Sequence, residues 1–459
     1  MNNSPTSLGT VLVAGLGKSG LATCRYLLKR PELFDTLLIV DSSEAPARLE
    51  ELGALPASVD CIFGIEALSE NISCDVAVVS PGLIPSTALY KSIERASGRV
   101  ISEIEFAFER CPRNWIAITG TNGKTTTTSL ATYILREAGL PAVSVGNIGA
   151  PAIEAVDEAQ EDTIFVAEVS SFQLHAVELF KPRVAALLNV TPDHINWHGS
   201  LEAYGKDKTN VFAQCDAGDT ILLNADDEGS NPYRACAHET GAEVIEIALA
   251  DNQILTWTTP DKMNIKGPHN VSNALFAALA ARAFDVDDAT ITRALETFMP
   301  VEHRLQFVAE IEGVSWFNDS KATNPDAVFK ALDAFDRQGV ILLVGGRNKG
   351  NRFIDLAHAA LSKQNFKYAL CFGEAGSLIF DDFSQVEQEM ATGTTSDASC
   401  VIKCATMDEA MQRARILATA GDCVVLSPAC ASFDEFDSYE QRGDIFMGTV
   451  ACYKQRQVL

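Results

Sequence analysis

The stretch Ala117-Ile118-Thr119-Gly120-Thr121-Asn122-Gly123-Lys124-Thr125 constrains this chain more than any other. The apolar run Trp115-Ile116-Ala117-Ile118 predicts a short buried strand, and the residues after the loop predict a helix over 125–138. A strand that turns through small residues into Lys-Thr and a helix start makes a cradle for phosphate. Backbone N–H groups and the helix dipole face the anion, the Lys ammonium reaches the β- and γ-phosphates, and the Thr hydroxyl can ligate Mg²⁺. The set expected to hold ATP is Gly120, Thr121, Asn122, Gly123, Lys124, Thr125 and Thr126. The common form of this loop has a Gly where Ile118 stands; here the first Gly is Gly120. An ordinary strand-to-helix turn with capping threonines is the bland alternative.

A second glycine loop lies near the start. Residues 10–14 predict a buried strand, followed by Gly15-Leu16-Gly17-Lys18-Ser19-Gly20 and a helix to residue 28. The next strand, residues 36–40, ends at Asp41, the acidic position of a dinucleotide-binding fingerprint. Alone, this pattern reads as a nicotinamide-dependent oxidoreductase, although the same physics cradles any diphosphate. A further strand, 76–79, runs into Ser80-Pro81-Gly82.

The alternation continues. Residues 141–145 lead into Gly146-Asn147-Ile148-Gly149, 163–166 lead towards Glu168-Val169-Ser170-Ser171-Phe172-Gln173, and 184–188 into Asn189-Val190-Thr191-Pro192-Asp193-His194. Ligands of open parallel sheets bind outside the carboxyl ends of the strands, so Lys124, Thr125, Asn147, Glu168, Gln173, Asp193 and His194 collect at one rim. Residues 200–212 predict a helix carrying Lys206 and Lys208, and Lys266-Gly267-Pro268-His269-Asn270 opens an apolar helix over 271–284. After Pro300 a third block has strands at 340–344, 368–372 and 423–426, and Thr406-Met407-Asp408-Glu409 predicts a capping box. The polar stretch 385–399 reads as a surface loop. The expected fold is α/β in three domains: Rossmann-like over 1–103, a P-loop ATPase-type parallel sheet over 104–302, and Rossmann-like over 303–459. Three polar rims suit an enzyme that brings two substrates and ATP together.

Charge narrows the partners. The 36 basic and 61 acidic residues give −25, a field that repels nucleic acid and anionic membranes, so a polyanionic ligand needs local cationic pockets. No apolar run approaches the ~18 residues of a membrane span, and MNNSPTSLGT lacks the pattern of a secretory signal. The 12 cysteines form no CxxC pair and read as reduced, mostly buried thiols. A soluble, cytoplasmic monomer is expected.

The blocks TGTNGKTT, GNIG, AEVSSFQL, LNVTPDH, GPHNVSNAL, HRLQ, NDSKATNPDA, LLVGGRNKG and SPACASFDEFDSYEQRGDIF follow one another as in the Mur ligases. The chain resembles that family over nearly its whole length, and the last two blocks resemble its D-glutamate-adding branch. The resemblance implies ATP-dependent addition of D-glutamate to UDP-N-acetylmuramoyl-L-alanine through an acyl phosphate, in peptidoglycan precursor synthesis. It implies catalytic roles for Lys124, His194 and Lys208, one Mg²⁺ on Thr125 and Glu168, and a second on Glu168, His194 and Lys208. Lys208, four residues after Tyr204, matches a position that is carbamylated in the family; a solvated helix lysine is the plain alternative. The UDP-substrate would meet Gly15, Leu16, Gly17, Lys18, Ser19, Asp41, Ser80, Gly82, Asn147 and Gln173. Asn270, Arg304 and Asp319 would embrace the ATP, and Lys321, Thr323, Lys349, Ser432 and Phe433 would hold D-glutamate, with Cys430 as packing. Asn196, Trp197 and Ser43 depart from the family pattern, which puts in question a salt bridge after His194 and the hold on the uridine end. An oxidoreductase, a nucleotide-switched binding protein and a sibling ligase are the competing classes.

Overall fold

Three runs of short apolar strands, each broken by Gly-containing polar loops, form three separate sheets. The computed structural model describes residues 7–43, 46–251, 253–299, 302–335, 338–390 and 399–455. In the first sheet, β1 (Thr10–Ala14), β2 (Thr36–Asp41), β3 (Val59–Phe63), β4 (Cys74–Val79) and β5 (Ser97–Ser102) lie in the order β3-β2-β1-β4-β5, all parallel. The second holds β6 (Trp115–Thr119), β7 (Ala142–Gly146), β8 (Ile164–Glu168), β9 (Val184–Leu187), β10 (Thr220–Asn224) and β11 (Glu243–Ile247), ordered β11-β10-β9-β6-β8-β7 and again all parallel. Both β6 and β8 are buried throughout, as a strand covered on both faces must be.

The third sheet departs from a purely parallel one. Its strands β12 (Gln306–Ile311), β13 (Val314–Asn318), β14 (Gly339–Gly345), β15 (Phe366–Phe372), β16 (Val401–Lys403) and β17 (Asp422–Ala429) are ordered β12-β13-β17-β14-β15-β16. The β12–β13 pair is antiparallel, joined by Glu312-Gly313 with both residues at positive φ, the backbone that a two-residue hairpin requires. Glu is an unusual residue for that position, so the turn is hard to see in sequence. The 385–399 surface-loop expectation needs correcting: residues 385–390 complete the helix Gly376–Met390, where Val386 is buried, and 391–398 lie outside the described residues.

Two compact units divide the chain, Met1–Thr259 with Ser272–Glu296, and Pro260–Val271 with Thr297–Leu459. The first unit contains both all-parallel sheets. They share a core in which Trp115 stacks on Phe165 at 4.7 Å and Phe108 meets Phe180 edge-on at 5.4 Å. Buried carboxylates fasten the joint: Glu103 accepts from Ile153 N at 2.7 Å, and Glu105 from Leu179 N and Phe180 N at 2.7 and 2.9 Å. Among the described residues no helix is long and apolar enough to cross a membrane.

Candidate active site

The phosphate loop leaves β6 at the carboxyl edge of the second sheet. Gly123 caps the helix Lys124–Glu137 at φ +85°, and a Cβ there would sit 2.4 Å from Asn273 Oδ1, so only glycine fits. The loop is braced from the end of β9. Asn189 accepts from Asn122 N at 2.8 Å and donates to Asn122 O at 3.0 Å, while Thr121 N donates to Asn189 O at 3.0 Å. Thr121 Oγ1 donates to Thr191 O at 3.1 Å and lies 3.0 Å from the Tyr204 hydroxyl. Lys124 Nζ donates to the carbonyls of Gly120 and Thr121, each at 2.8 Å. Thr126 is buried behind it.

Register brings the acidic partner to the same edge. Ile118 pairs with Glu168 across β6 and β8, and Gly146 pairs with Glu168 across β7 and β8. The buried Glu168 carboxylate therefore accepts from Thr125 Oγ1 at 2.8 Å and Asn147 Nδ2 at 2.7 Å. Gln173 uses its side-chain oxygen to accept from Ser170 N at 3.0 Å in a capping box. The oxygen donors of Thr125 and Glu168 suit a hard cation such as Mg²⁺. Among the described residues no three His, Cys, Asp or Glu side chains gather as a metal-holding group.

Lys208 is no solvated helix lysine. It is 1% exposed, donates to Gly120 O at 2.8 Å, and lies 4.4 Å from the centre of the Tyr204 ring. Burial and then the nearby Lys124 charge hold its pKa well below the usual lysine value, against the pull of Asp193, Asp207 and Glu168. His194 sits at φ +53° with Nε2 3.5 Å from Asp193 Oδ2, its ring edge-on to Phe172 at 4.8 Å.

Beside these residues is a network that sequence reasoning missed. Asp207 Oδ2 lies 2.8 Å from His198 Nδ1 and 3.0 Å from His175 Nδ1, and His198 Nε2 lies 3.0 Å from Ser171 Oγ. The two imidazoles hold the Asp207 carboxyl below its usual range despite burial, and Asp207 raises the pKa of His175. Trp197 packs against the rings of Phe172, at 4.8 Å, and His198, at 4.4 Å, which stack on each other at 5.5 Å. The signal was there in Ser171, His175, His198 and Asp207, but four isolated polar residues show no spacing that joins them.

At the first sheet, Gly20 faces Gly15 so closely that a Cβ would sit 1.9 Å from Gly15 O. Asp41 Oδ2 accepts from Leu16 N at 2.8 Å, so this carboxylate shapes the glycine loop as well as facing it. Arg48 donates to Leu16 O, placing a cation beside Gly15, Leu16 and Gly17 that the sequence did not single out. Ser80 Oγ lies within 3.9 Å of where Cβ atoms of Gly17 and Gly82 would be, while Lys18 and Ser19 open the helix Lys18–Leu28.

The second unit gathers the remaining predicted residues. Asn270 donates to Lys266 O at 2.8 Å. Asp319 accepts from Ser427 Oγ at 2.7 Å and Leu305 N at 3.1 Å, and burial pushes its pKa up to about 7 against the pull of Ser427 and Arg304. The loops after β14 and β17 are zipped by paired Arg347 and Ala431 backbone bonds of 2.8 and 3.0 Å, carrying Lys349 on one side and buried Ser432 and exposed Phe433 on the other. Lys321 Nζ stands 4.9 Å over the Tyr439 ring, and Thr323 shares its loop. Burial raises the Cys430 thiol to about 12, which makes it packing rather than a nucleophile.

Comparison with known proteins gives this arrangement a family. The Mur ligase MurD-like N-terminal domain matches residues 9–102, the Mur ligase middle domain 118–281, and the Mur ligase glutamate ligase domain 303–430. A UDP-N-acetylmuramoylalanine–D-glutamate ligase of Pelotomaculum thermopropionicum is 35% identical, over 97% of this chain and 98% of its own. One of Salinibacter ruber is 38% identical over 95% and 96%. The crystal structure of MurF from Acinetobacter baumannii shares the fold with a TM-score of 0.57 at 16% identity, covering 83% of this chain and 91% of that one. The oxidoreductase suggested by the first glycine loop is thereby set aside: this chain belongs to the Mur ligase family.

Proposed function

We propose that this chain is an ATP-dependent ligase that joins D-glutamate to UDP-N-acetylmuramoyl-L-alanine, in the cytoplasm and as a monomer, during peptidoglycan precursor synthesis. The observation that carries the reading is the hydrogen-bonded row Thr125–Glu168–Asn147 at the mouth of the Lys124 loop, with Lys208 buried beside it. Segments 1–103, 104–302 and 303–459 take the UDP end, the ATP and the incoming amino acid respectively. The net charge of −25 leaves nucleic acid and anionic membrane as poor partners.

The reaction needs a carboxylate to attack a highly charged triphosphate. The alanyl carboxylate takes the γ-phosphoryl group and ADP departs. The D-glutamate amine then attacks the acyl phosphate, forming the amide and releasing phosphate and a proton. Lys124, freed from its own loop carbonyls, neutralises the β- and γ-phosphates, and the helix start at Thr125 adds N–H donors. Thr125 and Glu168 would hold one Mg²⁺, and Glu168, His194 and a carbamylated Lys208 a second; bound there, the ions supply charge neutralisation at the transferring phosphoryl. Asn147 and Gln173 orient the muramoyl substrate. Asn270, Arg304 and Asp319 contact ATP, and Lys321, Thr323, Lys349, Ser432 and Phe433 bind D-glutamate. At the UDP end, Gly15, Leu16, Gly17, Lys18, Ser19, Asp41, Ser80 and Gly82 cradle the diphosphate and ribose.

The test is phosphate release with ATP and UDP-N-acetylmuramoyl-L-alanine, supplying D-glutamate, L-alanine, a diamino acid or L-glutamate in turn. Release should depend on D-glutamate. Release with another amino acid alone would move the chain to a sibling activity, and release without any would overturn the ligase reading.

A further inference from the structure

Arg442 is the one arginine among the largest fully buried side chains, with 0% of its surface exposed. Its guanidinium donates from Nε to Ser320 Oγ at 3.0 Å, from Nη2 to Ser320 O at 2.7 Å, and from Nη1 and Nη2 to Cys430 O at 3.2 Å each. All these acceptors are neutral. Among the described residues no carboxylate comes within ion-pair distance; Asp434, Glu435 and Asp319 act on it only from further away. A buried cation without an ionic partner is costly, and carbonyl dipoles offset only part of that cost.

The acceptors are not scattered. Ser320 precedes Lys321 and Thr323 in the loop after β13, and Cys430 precedes Ser432 and Phe433 after β17. The third neighbour is Gly346 of the loop that carries Lys349. A Cβ on Gly346 would lie 3.1 Å from Arg442 Nη1 and 2.3 Å from Ala431 O, so this loop passes too near the guanidinium to carry a side chain there. One side chain thus underlies all three loops assigned to D-glutamate. Closed off from solvent, it cannot touch the substrate.

We propose that Arg442 is a positioning residue for the D-glutamate site: it pins two of the loops by hydrogen bonds, lies close beneath the third, and lends all three a positive field that favours a doubly negative amino acid. The inference rests on the function proposed above. Arg442→Lys keeps the charge but loses the planar fork, Arg442→Met loses both, and Ser320→Ala removes one acceptor with little risk to folding. The expected result is a KM for D-glutamate raised about tenfold in Arg442→Lys, more in Arg442→Met and about threefold in Ser320→Ala. The KM for UDP-N-acetylmuramoyl-L-alanine should stay within about twofold, since none of the three loops is assigned to it, and the KM for ATP, which meets only Asp319 at the start of one loop, should rise less than that for D-glutamate. A purely structural arginine would instead lower the melting temperature and kcat while leaving the D-glutamate KM alone. An unchanged D-glutamate KM in folded Arg442→Lys or Ser320→Ala, or three KM values rising together, overturns the proposal while the ligase reading stands. Failure of the unaltered chain to release phosphate in response to D-glutamate overturns both.

Discussion

Lys124 and Lys208 donate to the same acceptor, the carbonyl of Gly120, each from 2.8 Å. Two ammonium groups converging on one oxygen repel each other, and burial together with the Lys124 charge holds the Lys208 pKa well below the usual lysine value. A neutral amine is what carbamate formation with CO₂ requires. The lowered Lys208 pKa meets that one requirement of the carbamylation proposed above.

The first prediction follows from that pair. Lys208→Ala should lower phosphate release by about a hundredfold or more, and acetate should restore part of it by standing in for the carbamate. Exposed Lys206, on the same helix, should tolerate alanine. Wild-type turnover in Lys208→Ala, or acetate rescue confined to Lys206→Ala, would show the assignment to be wrong.

Lys124→Ala should retain the fold, because the lysine hydrogen-bonds carbonyls of its own loop and lies outside the hydrophobic core around Trp115. Its loss should remove about 3 kcal/mol or more of transition-state stabilisation, roughly two orders of magnitude in rate. Near-normal kcat in a variant with native circular dichroism would contradict it.

Glu103 makes a prediction about stability alone. Burial lifts its carboxyl from an ordinary value of 4.5 to about 7, although the bond from Ile153 N pulls the other way. The folded state thus binds this proton more tightly than the unfolded chain. That contribution is complete below pH 4.5 and is lost as pH rises through 7, on the order of 3 kcal/mol in all. Glu103→Gln keeps an acceptor for Ile153 but cannot ionise. Its urea midpoint relative to the unaltered chain should be higher at pH 8 than at pH 5; an equal difference at both would refute the burial argument.

For the amino-acid site, Lys349→Ala should raise the KM for D-glutamate tenfold or more, about the value of one charge-assisted contact, with little change in the KM for ATP. D-Aspartate should be a poor substrate for the unaltered chain, since a shorter acid leaves one donor unpaired. Equal use of both acids, measured by phosphate release, would reject the assigned contacts.

The strands and loops that define the rims were legible because each has a local signature. Buried runs such as Trp115-Ile116-Ala117-Ile118 stop at glycine, and Gly123 is demanded by its own backbone angle. What remained hidden depends on pairing between distant segments. Nothing in the sequence aligns Ile118 with Glu168 or Asn189 with Asn122; the sheet register does that. Arg442 reads as one more polar helix residue until three loops fold over it. Asp41 illustrates the opposite case: its position matched a ribose contact, yet its carboxylate is also engaged by Leu16 N. The edge strands β3 and β11 escaped notice because half-exposed strands carry mixed residues rather than an apolar run.

The Asn189 and Tyr204 brace also has a consequence for how the protein is made. Residues 120–123 leave the ribosome more than sixty residues before Asn189 and about eighty before Tyr204, and β6 has neither sheet neighbour until β8 and β9 are synthesised. During translation the glycine loop must wait, unsupported, as an irregular segment with an unpaired strand behind it. Such delayed long-range pairing slows folding and leaves strand edges exposed to wrong partners. A nascent chain arrested before residue 184 should therefore fail to bind ATP even though every residue of its phosphate loop is already present.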